Sequence, residues 1–169
     1  LQATSSNNNN NNNSVARDRS SSPREVVHKT FEFSRVFPST ATQEDVFLEF
    51  GARAVDAALN GEHGVLFAYG QTGSGKTYTL SHVGSNSATA SGITDPADGV
   101  VPRALKLLWS KASEERARKS VEVSMSVLEV YKEQLYDLTQ PKRERIHFTQ
   151  RDQCSRRVLS CEEALSLYH

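Results

Sequence analysis

Aromatic and apolar residues interleave with polar ones through Phe31-Glu32-Phe33-Ser34-Arg35-Val36-Phe37, which predicts a half-buried strand ended by Pro38-Ser39-Thr40. The period then changes. Phe47, Phe50, Ala54, Val55, Ala58 and Leu59 recur at helical spacing, and Asn60-Gly61 supplies the stop. Ahead of them, Thr42-Gln43-Glu44-Asp45 has the form of a capping box with Thr42 as N-cap. Val65-Leu66-Phe67-Ala68-Tyr69 is a nearly continuous apolar run, as a strand buried on both faces requires. Beyond Lys76, Thr77-Tyr78-Thr79-Leu80 reads as a first helical turn. Ser81 to Gly99 is rich in Ser, Gly, Thr and Asp, with a proline at 96, and predicts an exposed loop.

Helix resumes from Pro102, with Ala104, Leu105, Leu108 and Trp109 as its apolar stripe. The charged run Lys111 to Lys119 that closes it reads as a solvated face. Val121 to Tyr131 predicts one long strand, and a second strand falls near Ile146-His147-Phe148-Thr149. Ser160-Cys161-Glu162-Glu163 caps a final helix that runs to His169. Strands alternate with helices, so the class is α/β.

Composition narrows this picture. Residues 1–25 are an Asn/Ser-rich segment with an unbroken asparagine run from Asn7 to Asn13, too poor in apolar surface to offset the entropy of ordering, and read as disordered. Residues 26–169 remain as one domain. Lys plus Arg and Asp plus Glu both number 20, so net charge argues for neither nucleic acid nor a membrane surface as partner. Cys154 and Cys161 match no zinc or redox spacing, and the five histidines form no ligand cluster. No apolar stretch is long enough to span a membrane. A soluble intracellular protein is the expectation.

The chemistry concentrates in Gly70-Gln71-Thr72-Gly73-Ser74-Gly75-Lys76-Thr77, which fits G-x-x-x-x-G-K-[ST] at every fixed position. Glycines let the backbone curl until successive N–H groups point inward as an anion nest. Lys76 has the reach for β- and γ-phosphates, and the Thr77 hydroxyl suits a Mg²⁺ bridging them. The bland alternative is a flexible Gly/Ser connection. Glu129, at the end of an apolar strand, is open to two readings: a Walker-B-like carboxylate on Mg²⁺, or a structural strand residue.

The wider pattern, from Phe31 to about Tyr168, resembles the first half of a kinesin motor domain. Phe67 to Thr79 (Phe-Ala-Tyr-Gly-Gln-Thr-Gly-Ser-Gly-Lys-Thr-Tyr-Thr) is close to that family's phosphate loop, Gln71-Thr72 being its distinguishing pair. Phe31 to Phe37 resembles the family's F-x-F-D-x-V-F strand, and Thr42 to Phe47 its T-Q-x-x-V-[FY] helix start. Gly99 to Ala104 resembles G-[IV]-[IV]-P-R-A, and Ser126 to Leu138 the S-x-x-E-[IV]-Y-N-E-x-[VL]-x-D-L block. Ser34 replaces the usual Asp, Lys132 the usual Asn and Leu80 a customary Met. An R-x-R-P motif, N-x-x-S-S-R-S-H and D-x-x-G do not occur in the chain.

The resemblance implies an incomplete kinesin motor fold, a P-loop NTPase-type mixed sheet flanked by helices. It implies ATP and Mg²⁺ as cofactors, with Gly70, Gln71, Thr72, Gly73, Ser74, Gly75, Lys76, Thr77 and Tyr78 on the nucleotide and Thr77 on the metal. It also implies microtubules (tubulin) as partner, ATPase activity in the complete motor, and a cytoplasmic, cytoskeletal location. The basic cluster Lys142, Arg143, Arg145, Arg151, Arg156 and Arg157 either faces acidic tubulin or is a solvated loop. The water-positioning and γ-phosphate-sensing groups belong to the two switch motifs, so no catalytic residue is assigned within the chain and turnover by these residues alone is not expected. Two alternatives are a P-loop ATPase of another class using Glu129, and a degenerate kinesin-like binding module.

Overall fold

The computed structural model describes residues 30–84, 94–115 and 120–168. The expected disorder of residues 1–25 lies outside them, as does the middle of the loop between 85 and 93. The chain divides into two units, Leu1–Val36 and Phe37–His169. Of the first, residues 30–36 form neither helix nor strand, so the predicted strand over 31–37 is not made.

The second unit opens with helix α1, Gln43–Val46. Its capping box is complete: the Asp45 amide donates to Thr42 Oγ1 at 3.1 Å, and the Thr42 amide donates to Asp45 Oδ2 at 2.8 Å. A π-helical turn, Phe47–Gly51, leads into helix α2, Ala52–Leu59. Gly51 is there for close approach, since a Cβ would sit 2.5 Å from the Phe47 ring and 2.9 Å from Val100. Phe47 and Val55 are buried on this stripe, whereas Phe50 lies edge-on to Phe37 with ring centroids 5.9 Å apart.

Helix α3, Lys76–Ser81, and helix α4, Val100–Glu115, follow, with Pro102 in the first turn of α4, where its missing N–H is harmless. Trp109 of α4 is buried with Val158 and Ala164, and Leu105, Leu108, Val123 and Met125 pack around them. This cluster is where most of the apolar burial collects. Ala164 belongs to the last helix, α5 (Cys161–Tyr168), whose N-terminus is capped by Ser160 Oγ accepting from the Glu163 amide at 3.1 Å.

The predicted long strand over 121–131 is two strands. Strand β1, Val123–Met125, and strand β2, Leu128–Tyr131, belong to different sheets. Burial alternates from Glu122 to Val130, but the apolar positions do not: Val123, Met125 and Val127 share one phase and Leu128 and Val130 fall on the other, so the slip at Val127-Leu128 marks the change of partner. Strand β3, Gln134–Asp137, returns from β2 through a tight hairpin, with Val130 opposite Leu135. Strand β4, Glu144–Ile146, completes a three-stranded antiparallel sheet. Residues Phe148–Cys154, expected in part as strand, form a 3₁₀ segment, and strand β5, Arg156–Val158, pairs antiparallel with β1. All pairings among the described residues are antiparallel.

Two sites in the hairpin sheet carry measurable consequences. The β2–β3 turn places Lys132 at φ 48° and Glu133 at φ 60°, the left-handed region that side chains with a Cβ resist. Replacing the pair by Asn and Gly is expected to raise unfolding free energy by about 1 kcal/mol, read as a higher urea midpoint at unchanged slope. Asp137, buried at the end of β3, accepts from the Thr139 amide at 2.8 Å and hydroxyl at 2.6 Å. Burial works to raise its pKa, but together these hydrogen bonds hold it below the ordinary carboxylate value. A depressed folded pKa stabilises the protein above the unfolded value and loses that stabilisation as pH falls through the folded one. Wild-type stability should therefore drop below about pH 4, and Asp137→Asn should flatten that limb of the urea-midpoint profile.

Candidate functional site

Residues Gly70 to Thr77 form a loop that runs straight into α3. Gly73 and Gly75 sit at φ 79° and 88°, conformations open to glycine at little cost. Gly70 answers to space instead, because a Cβ there would lie 2.5 Å from Ser74 Oγ. The Ser74 amide closes the turn on the Gln71 carbonyl at 3.2 Å, and the Thr79 amide bonds the Gly75 carbonyl at 2.8 Å as the first helical bond. The amides of Gly73, Gly75, Lys76 and Thr77 make no hydrogen bond to a protein acceptor among the described residues.

Lys76 folds its ammonium back onto the loop, donating to the Gly70 carbonyl at 2.9 Å and the Gln71 carbonyl at 2.8 Å. Two neutral carbonyls are weaker partners for a full charge than an anionic oxygen. Thr77 is exposed beside it. Tyr78 is 55% exposed, its ring tilted against His82 with centroids 5.3 Å apart. Free amides, one ammonium and one hydroxyl converge on one loop, a donor set that suits a polyphosphate. A divalent ion finds one protein oxygen at Thr77, and no group of three or more His, Cys, Asp or Glu is assembled among the described residues. That fits Mg²⁺, which takes most of its ligands from phosphate and water.

The run feeding this loop departs from expectation. Val65 to Tyr69 forms no ladder among the described residues, and it is open: Val65 is 81%, Phe67 80% and Tyr69 96% exposed. Apolar residues bias a run toward strand, but a strand also needs neighbours on its edges, and β1 to β5 pair with one another instead. The start of the run is fixed by contact with α2, where a Cβ on Gly64 would meet the Ala54 carbonyl at 2.8 Å.

A buried polar clamp, invisible in the composition of the loop, positions α3. The expected exposed stretch 81–99 is closed at its base: Gly84, Asp95, Asp98 and Gly99 are buried. Asp98 Oδ1 accepts from the Gly84 amide at 2.9 Å, while its Oδ2 accepts from the Asp95 amide at 3.1 Å and from Lys106 Nζ at 2.9 Å. Arg103 donates to the carbonyls of Asp98 (2.8 Å), Pro96 (3.1 Å) and Asp95 (3.2 Å). The Gly99 amide reaches the His82 carbonyl at 2.8 Å, and Gln43 Nε2 donates to the Tyr78 carbonyl at 2.8 Å. Opposite charges at short spacing, Asp95 and Asp98 against Arg103 and Lys106, were the available sequence signal. Gln43 carried none beyond its place in the T-Q block.

Glu129 is held elsewhere. Its carboxylate accepts from Arg143 Nε at 2.7 Å and pairs with Nη2 at 2.6 Å, and that guanidinium stacks 3.8 Å over the Tyr136 ring. A carboxylate so engaged on an antiparallel hairpin fits the structural reading. Much of the basic cluster is likewise paired: Arg156 donates to Gln140, Arg157 faces Glu122 at 3.7 Å, and Arg151 faces Asp152 at 3.4 Å. Lys142 and Arg145 are exposed.

A family model described as the kinesin motor domain matches residues 2–165. The chain belongs to the kinesin motor domain family. It is 39% identical over 113 residues to Kinesin-like protein KIF11-A of Xenopus laevis, covering 67% of this chain and 10% of that protein. It is also 39% identical over 122 residues to Kinesin-like protein KIN-12B of Oryza sativa subsp. japonica, covering 69% and 11%. The crystal structure of the Drosophila kinesin family member NOD in complex with AMPPNP aligns with TM-score 0.67 at 26% identity, over 82% of this chain and 47% of that one. NOD in complex with divalent manganese and ADP aligns with TM-score 0.65 at 25% identity. The chain thus spans about a tenth of the curated kinesins it matches and about half of the solved NOD chain.

For this kinesin-family chain the clamp makes a clear demand on stability. Lys106 and Asp98 are 9% and 0% exposed at their side chains, so removing one partner strands a buried charge. Lys106→Met is expected to destabilise by about 3 kcal/mol, and adding Asp98→Asn should recover part of that loss in a double-mutant cycle by urea unfolding.

Proposed function

We propose that the chain binds MgATP through Gly70 to Tyr78 and is the ATP-binding portion of a kinesin-like microtubule motor. The observation that carries this reading is the loop itself, with free amides at Gly73, Gly75, Lys76 and Thr77 and a lysine ammonium within one turn, in a chain of this family. Gly70, Gln71, Thr72, Gly73 and Ser74 shape the phosphate cradle, and Gly75 turns the chain into α3. The Lys76 ammonium leaves its two carbonyls for the β- and γ-phosphates. Thr77 Oγ1 is the protein's ligand to Mg²⁺, which when bound neutralises phosphate charge, and Tyr78 lies at the edge of the same site. The NOD structures in complex with AMPPNP and with divalent manganese and ADP support a nucleotide and a divalent ion as the occupants.

The complete motor would couple hydrolysis to movement along microtubules in the cytoplasm, as an ATPase of the kinesin type. The groups that place water and sense the γ-phosphate are assigned to no residue here, and the pairing of Glu129 with Arg143 speaks against a metal-ligand role for that carboxylate. On the microtubule side, Lys142 and Arg145 are the open cations of the basic cluster and suit the acidic tubulin surface.

Lys76→Ala is expected to weaken binding of a fluorescent ADP analogue with Mg²⁺ by about tenfold to a hundredfold, the worth of a charge-assisted hydrogen bond. Equal affinity of wild type and variant in equilibrium titration would sink the assignment.

A further inference from the structure

We infer that Gln43 is a positioning residue for the nucleotide loop, standing in for the helical turn that α3 lacks. The inference rests on the reading of Gly70–Thr77 as a nucleotide site. Helix α3 has six residues, and its C-cap, His82, is already extended at φ −61° and ψ 133°. A helix this short is not stable by propensity alone, and its last four carbonyls have no intrahelical donor. The Tyr78 carbonyl is one of these, and its donor is the side chain of Gln43 at 2.8 Å, from a residue 35 positions earlier.

The same Nε2 reaches the Ala97 carbonyl at 3.4 Å, on the arm of the chain that returns to α4. Two facing carbonyl oxygens admit only the NH₂ end of the amide, which fixes its orientation. Gln43 is itself buried at 6% exposure, at the first position of α1, with the capping box of Thr42 and Asp45 anchoring its backbone. So one amide joins α1, the P-loop helix and the approach to α4.

The consequence for the site is direct. Lys76 and Thr77 lie on the same turn as Tyr78, and nothing in their own sequence holds that turn against the rest of the fold. Loss of the Gln43 donor removes the protein partner of a part-buried carbonyl and frees α3 to shift, which misplaces the ammonium and the hydroxyl together.

The test uses the full chain, a fluorescent ADP analogue with Mg²⁺, and equilibrium titration well below the melting temperature. Gln43→Ala should bind about tenfold more weakly than wild type. Gln43→Glu separates positioning from general loss of packing, because its carboxyl donates to the Tyr78 carbonyl only when protonated. Burial beside two carbonyl oxygens disfavours the charged form and raises the carboxyl's pKa, so the variant's deficit relative to wild type at the same pH should be large at pH 8 and shrink as pH falls toward 5, whereas that of Gln43→Ala should stay constant. Glu44 and Asp45 on α1, Lys76 and Tyr78 on α3, His82, Asp95 and Asp98 on the connecting arms, and Arg103, Lys106, Lys111, Glu114 and Glu115 on α4 are the titratable or charged groups on the elements around Gln43; they are common to all three proteins, so the ratio removes their own titration. Affinities equal to wild type in both variants, or parallel pH profiles, overturn the inference while leaving the nucleotide reading intact. Failure of wild type to bind the analogue overturns both.

Discussion

A carboxylate with no exposed surface must be met by donors on every side, and Asp98 organises the middle of this structure by that requirement. Its two oxygens take the amides of Gly84 and Asp95 and the ammonium of Lys106, so the outgoing arm of the loop, the returning arm and α4 are brought to one point. Arg103 adds the carbonyls of the returning arm. With the arms joined at their base, α3 must end where it does and α4 must begin at Val100, whatever the loop between them does. Placement of the phosphate loop, at the other end of α3, inherits that constraint.

Features that a few neighbouring residues settle among themselves were legible in the sequence. The capping box at Thr42 and Asp45, the cap at Ser160, the first-turn Pro102 and the phosphate loop all formed as their residue types require. Features that depend on a distant partner were not. Val65 to Tyr69 has the composition of a buried strand, yet pairing is decided by which edges are offered, and the described strands offer theirs to each other. Val121 to Tyr131 reads as one strand, and the slip of its apolar phase at Val127-Leu128 marks a break without naming the partners, β5 for β1 and β3 for β2. The hairpin at Lys132-Glu133 was hidden because neither residue favours the left-handed conformation it adopts.

The exposed-loop expectation for 81–99 failed at its ends for a related reason. Polar composition predicts solvation only when the polar groups have no better partners, and here Asp95, Asp98, Arg103 and Lys106 are one another's partners in the interior. The converse holds for Glu129, which the sequence left open as a metal-ligating or a structural carboxylate and which is one half of a surface bridge with Arg143, stacked on Tyr136.

Chemistry and placement therefore have separate sources in this chain. The octapeptide carries the free amides, the ammonium and the hydroxyl that suit a phosphate, all within eight consecutive residues. What fixes those residues in space comes from the first turn of α1 and from the start of α4, through Gln43, Asp98 and Gly99. A six-residue helix has little cooperativity of its own, so the placement of Lys76 depends on contacts made outside the loop. The phosphate-binding pattern and the donor to the Tyr78 carbonyl lie 35 positions apart, so the pattern by itself does not encode how α3 is held.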